Sequence, residues 1–75
     1  MSQTPEEEMN IAVWNALLDE LPRLGITKEK GMLIADATAT LSQRCGIAPE
    51  KVMRGLLEGV QRGELLITDD TVRYQ

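Results

Sequence analysis

The sequence contains no histidine, a single cysteine (Cys45) and only two aromatic residues, Trp14 and Tyr74, with no phenylalanine. Each scarcity excludes something. Without histidine there is no imidazole to serve as a base near neutral pH or to activate the one thiol. With one cysteine no internal disulfide can form, which points to a reducing compartment. With two aromatics there is no platform of stacking rings of the kind that single-stranded RNA readers present. The core must then be aliphatic, built from Leu, Ile, Val, Met and Ala. There is no glycine-rich phosphate loop, and Glu6 to Glu8 and Asp69-Asp70 lack metal-ligand spacing. Hence no catalytic residue, metal, cofactor or small-molecule substrate is expected, and the chain reads as a non-enzyme. Neither a secretory hydrophobic segment nor an apolar run of membrane-spanning length is present, so a cytoplasmic location without membrane contact is expected.

What is there fits one small domain spanning residues 1–75, with 1–4 expected to be flexible. Hydrophobic residues make up 43%, enough for a folded rather than a disordered chain. The formal net charge is −4, which argues against a general polyanion binder. The charge is uneven. The first twenty residues hold Glu6, Glu7, Glu8, Asp19 and Glu20 and no basic residue. From Lys28 to Arg62 the bases Lys28, Lys30, Arg44, Lys51, Arg54 and Arg62 outnumber Glu29, Asp36, Glu50 and Glu58.

Thr4-Pro5-Glu6-Glu7 is a helix start: Thr4 caps, Pro5 suits the first helical position, and Glu7 completes a capping box. The acids there also suit the helix dipole. Ile11, Trp14, Leu17, Leu18, Leu21 and Leu24 keep helical spacing, so the first helix runs to about Leu24, its last turn distorted by Pro22. Trp14 reads as core or a packing anchor. A second helix is expected from about Lys28, capped by Thr27, to Cys45, with Ile34, Ala37, Thr38, Leu41 and Cys45 on its apolar stripe. Cys45 on that stripe is a small core residue rather than a nucleophile. Gly46 ends this helix and Pro49 opens a third, which runs to about Arg62. Val52, Met53, Leu56, Leu57 and Val60 are its expected apolar face. The tail reads as a hairpin turning at Asp69-Asp70, with Thr68 opposite Thr71, Ile67 opposite Val72, Leu66 opposite Arg73 and Leu65 opposite Tyr74. That register places Leu65, Ile67, Val72 and Tyr74 on one face; Asp-Asp is a weaker hairpin turn than Asn-Gly, which leaves a slightly longer loop as the alternative.

The segment from Leu41 onward resembles the winged helix-turn-helix family. Its members commonly show Leu-Ala, three variable residues, glycine and an aliphatic, then a helix opening that leads to Val. Here Leu41, Ser42, Gln43-Arg44-Cys45, Gly46 and Ile47 are followed by Ala48-Pro49-Glu50-Lys51 and Val52. Leu56, Gly63, Leu65 and Leu66 match the rest of the pattern, and the resemblance covers about Lys28 to Tyr74. It implies a mainly α fold with a small β-hairpin: three helices and a wing. In DNA-binding members the third helix enters the major groove while the wing touches the backbone. Two positions depart from the pattern. Ala48 stands where a Ser or Thr cap is common, and the wing tip is Asp69-Asp70, which repels phosphate.

Two functions follow, of which a dimeric DNA-binding regulator is the one favoured by the local positive balance of the helix-turn-helix region, with an acidic protein adaptor as the alternative. If the chain is a DNA-binding regulator of transcription, Lys51 and Arg54 are the base-reading candidates on duplex DNA, and Arg44, Lys28 and Lys30 are phosphate contacts. The same charges also make favourable acid-first spacings, Glu50 with Arg54 and Glu58 with Arg62, and so solvate an exposed helix. If the chain is instead an acidic adaptor for protein, the first helix is the contact. Met9, Val13, Trp14 and Leu17 would meet a partner or a second copy in a homodimer.

Overall fold

The computed structural model describes residues 4–75. Of the stretch 1–4 expected to be flexible, residues 1–3 lie outside the described residues. Thr4 accepts a hydrogen bond on its side-chain oxygen from the Glu7 backbone N–H (3.1 Å) and caps helix α1, Pro5–Glu20. The α-helix stops at Glu20 because Pro22 carries no N–H to donate back to Leu18; the chain continues as a 3₁₀ turn, Leu21–Leu24, as the distorted last turn requires.

The next segment departs from expectation. Thr27 caps no helix. Its hydroxyl accepts from the Lys30 N–H (2.8 Å), and its own N–H donates to the Lys30 carbonyl (2.8 Å), closing a tight turn. A short strand β1, Met32–Leu33, follows, and helix α2 begins only at Ile34 and ends at Cys45. Leu33 stands at the N-cap position of α2 with no side-chain bond. Instead the Ile34 N–H donates to the Asp70 carbonyl at 2.7 Å, so the hairpin tip satisfies a helix-start donor. Helix α3, Pro49–Gln61, has Ala48 at its N-cap and no side-chain cap, in keeping with the missing hydroxyl.

Strands β2, Leu65–Thr68, and β3, Thr71–Tyr74, pair antiparallel in the expected register, Leu65 with Tyr74 through Thr68 with Thr71. Asp69 and Asp70 both adopt positive φ, 51° and 60°, which is the two-residue turn whose twist matches a hairpin. Strand β1 adds on the other side of β3, with Met32 opposite Val72 and Leu33 opposite Thr71, giving a three-stranded sheet of order β1-β3-β2. The fold is thus mainly α, three helices with a small antiparallel sheet.

Trp14, Leu17, Leu21, Leu41, Val52, Leu56, Leu65 and Val72 are fully buried where the helices meet the sheet. The centre of this core is the contact of α1 with α3. The inner arc of α3 is Val52, Gly55, Leu56 and Gly59, all buried, at helical spacing. Leu57, expected on the apolar face, stands 45% exposed instead. The reason lies in the two glycines. A Cβ at Gly55 would come within 2.6 Å of Val13 Cγ1, and one at Gly59 within 2.6 Å of Trp14 Cζ3. They let α1 settle against that side of α3, which rotates Leu57 outward. The Trp14 indole lies on Gly59, and its Nε1 donates to Glu64 Oε2 at 3.1 Å.

Two outcomes test this architecture. Alanine is the better helix former by roughly 0.5–1 kcal/mol, yet Gly59→Ala is expected to destabilise by about 1–3 kcal/mol through overpacking against the indole. Urea titration followed by Trp14 emission reads the sign directly. Replacing Asp69-Asp70 by Asn-Gly is expected to stabilise by about 0.5–1 kcal/mol, because those residues adopt left-handed φ at less cost. The corresponding rise in melting temperature is roughly 2–8 °C for a domain of this size.

Candidate functional site

The α2–turn–α3 segment presents the outer face of α3 to solvent. Gly46 takes φ of 67°, a left-handed conformation that a side chain disfavours, and its N–H donates to the Ser42 carbonyl at 3.0 Å. Ser42 tightens the same turn by donating its hydroxyl to the Ile47 carbonyl at 2.6 Å. With Val52 and Leu56 anchored inside, Lys51, Arg54, Leu57 and Gln61 are exposed and Glu58 is half-buried. Asn10 of α1 joins Arg54, Leu57, Glu58 and Gln61 around a shallow cleft of about 120 Å³. Small-molecule pockets are typically ~300–1,000 Å³, so this cleft is smaller than such a site.

The electrostatics of the face are set by helix α1. Arg54 does not pair with Glu50 as the spacing suggested. Its Nη1 reaches Glu6 Oε1 of α1 at 2.7 Å. Arg44, at the end of α2, donates from Nε to Glu20 Oε2, and Arg23 approaches the same carboxylate at 3.9 Å. Arg62 does pair with Glu58 at its expected spacing, at 3.0 Å. The hydrogen bond from Arg44 holds the Glu20 carboxyl below its ordinary range, and reciprocally Glu20 pushes the Arg44 guanidinium up. Burial, followed by the nearby Glu20 charge, raises the Cys45 thiol. Burial, then Glu64, raises the Tyr74 phenol.

The expected DNA contacts therefore fall into two groups. Arg44 and Arg54 are engaged by carboxylates of α1. Lys28, Lys30 and Lys51 are exposed and make no ion pair among the described residues. Nor are these lysines on one element. Lys51 stands in the first turn of α3. Lys28 and Lys30 sit on the 27–30 turn, which is tied to β3 by the Tyr74 N–H donating to the Thr27 carbonyl at 3.2 Å. Of the residues expected to meet a partner, Val13, Trp14 and Leu17 are drawn into the core by the approach of α3, and Met9 alone stays exposed, at 48%. Residues that sequence reasoning passed over are Glu6 and Glu20, which act on arginines far along the chain, and Gly55 and Gly59. The one available signal was the pair of glycines four apart inside an otherwise well-formed helix.

No protein-family model matches the chain, and no curated protein or solved structure matches it either.

The Glu20 ion pair yields a pH signature. A carboxylate lowered in the folded state stabilises the fold above its unfolded value, about 4.3 for Glu, and loses that contribution as pH falls through the lowered value. The stability gap between the native chain and Glu20→Gln is expected to be present at neutral pH and to close below about pH 4. Urea midpoints measured from pH 7 downward test this; a gap that is unchanged in acid would assign the effect to something other than charge.

Proposed function

We propose that this chain is a winged-helix module that acts by binding protein and has given up duplex DNA. The order of helices, the antiparallel sheet and the tight hairpin support the winged-helix assignment. The observation that carries the choice of target is the pairing of Arg54 with Glu6. Arg54 occupies the outer face of the helix that DNA readers place in the major groove. The pair itself is half exposed and contributes at most about 1 kcal/mol, so a phosphate is able to open it. Opening it does not remove the carboxylate. Glu6 belongs to the first turn of α1 and stays beside the same groove-facing surface, where it repels phosphate. Glu20 does the same next to Arg44, and Asp69-Asp70 hold the wing tip. Two of the four acids thus lie directly against the arginines that would meet DNA, and the other two form the wing tip.

A second reading, a DNA-binding regulator of transcription, draws on Lys28, Lys30 and Lys51, which are exposed and without an ion pair among the described residues. Retention on random duplex DNA separates the two. The protein-binding module is expected to show none even at about 50 mM salt, where phosphate contacts are strongest. Retention that falls steeply with salt and is lost in a Lys51→Ala, Arg54→Ala variant of unchanged melting temperature would establish the DNA reader.

A further inference from the structure

Along α3, from its exposed face at Glu50 to the half-buried Glu58 beside α1, runs an ordered row of charge. Glu50, Arg54, Glu58 and Arg62 recur every fourth residue along α3 and its C-cap, alternating in sign. Residues four apart form one ridge on a helix surface, and the commonest helix–helix packing lays such ridges side by side. Read backwards, the row Glu-Arg-Glu-Arg becomes Arg-Glu-Arg-Glu. Among in-register pairings of two copies it is therefore complementary to itself only when they run antiparallel. When two copies pack antiparallel about a two-fold axis level with Leu56, Glu50 faces the second copy's Arg62, and Arg54 faces the second copy's Glu58. A parallel arrangement sets like against like. The neighbouring ridge brings Leu57, the exposed apolar residue of this face, close to the same axis, where two copies cover each other's leucine.

From this charge pattern we infer that the partner of the α3 face is a second copy of the chain, paired antiparallel through α3. The inference rests on the protein-binding reading above, because a face closed in this way is not open to DNA. It moves the self-association surface away from α1, whose apolar residues are mostly internal. The ion pairs seen within one chain, Arg54 with Glu6 and Arg62 with Glu58, exchange for pairs across the axis, so the net electrostatic gain is small. A thirteen-residue helix is about 20 Å long, and one such contact is smaller than the ~800 Å² per partner of a standard interface. The dimer is accordingly expected to dissociate in the micromolar range or weaker and to exchange rapidly.

Charge reversal with mixing tests the inference by sedimentation equilibrium of the full chain over a concentration series. Arg54→Glu alone sets its new carboxylate against the second copy's Glu58. Glu58→Arg alone sets its new guanidinium against the second copy's Arg54. Each is expected to weaken self-association at least about tenfold. Mixed with each other, the two single variants regain opposite charge at every contact and are expected to associate about as well as the native chain. The double variant Arg54→Glu, Glu58→Arg is expected to self-associate again. Recovery on mixing also shows that neither single variant has simply lost its fold; far-UV circular dichroism and Trp14 emission check this independently. A native chain that remains monomeric up to millimolar concentration overturns the inference, as does a dimer indifferent to both reversals. In either case absence of DNA retention leaves the protein-binding reading standing, whereas salt-steep DNA retention removes that reading itself.

Discussion

The close approach of α1 to α3 is the constraint on which the rest of the structure depends. Gly55 and Gly59 remove the side chains that would hold the helices apart, and Trp14 fills the space above them. A buried tryptophan removes roughly 200 Å² from water, a gross gain of about 5 kcal/mol at the usual area coefficient. That is comparable to the whole net stability expected of a domain this small, about 4–11 kcal/mol. The core has no other aromatic of this size to share the load. The Trp14 indole N–H also needs a partner when buried, and Glu64 supplies it just before β2 begins. One side chain therefore fixes the helix pair and ties it to the start of the hairpin.

The same contact decides which chemistry faces outward. Because α3 rolls its glycine side against α1, Leu57 leaves the core and joins Arg54 and Gln61 on the surface. Because α1 lies alongside, its acidic first turn comes level with Arg54, and its last residue, Glu20, meets Arg44. The acids of α1 thus do two things at once. Those of its first turn suit the positive end of their own helix dipole, and Glu6 and Glu20 pair with Arg54 and Arg44. A positive balance counted along the middle of the chain is cancelled by folding.

Parts of this were legible in the sequence, for physical reasons. The hairpin register was, because strand side chains alternate with period two and a turn at Asp69-Asp70 placed Leu65, Ile67, Val72 and Tyr74 together. The turn at Gly46 was, because glycine followed by proline marks a helix end and a helix start. The start of α2 was not. Thr27 and Lys30 have the three-residue spacing of a helix cap and of a tight turn alike, and β1 has two residues, too few to show a period. The inner arc of α3 was misread because glycine carries no hydropathy signal, so Leu57 was counted inside. The exposed residues of α3 followed from helical spacing. The partner of Arg54 did not, since 48 residues separate it from Glu6 and only the tertiary contact brings them together.

The bond from the Ile34 N–H to the Asp70 carbonyl joins the tip of the hairpin to the first turn of α2. Strand β1 runs directly into that turn while pairing with β3, so the link is continuous through the backbone. A hairpin held this way has no hinge of its own. Displacing its tip strips α2 of a satisfied amide and pulls on the strand that leads into it. Opening of the ribbon and fraying of that helix are therefore coupled through this one link.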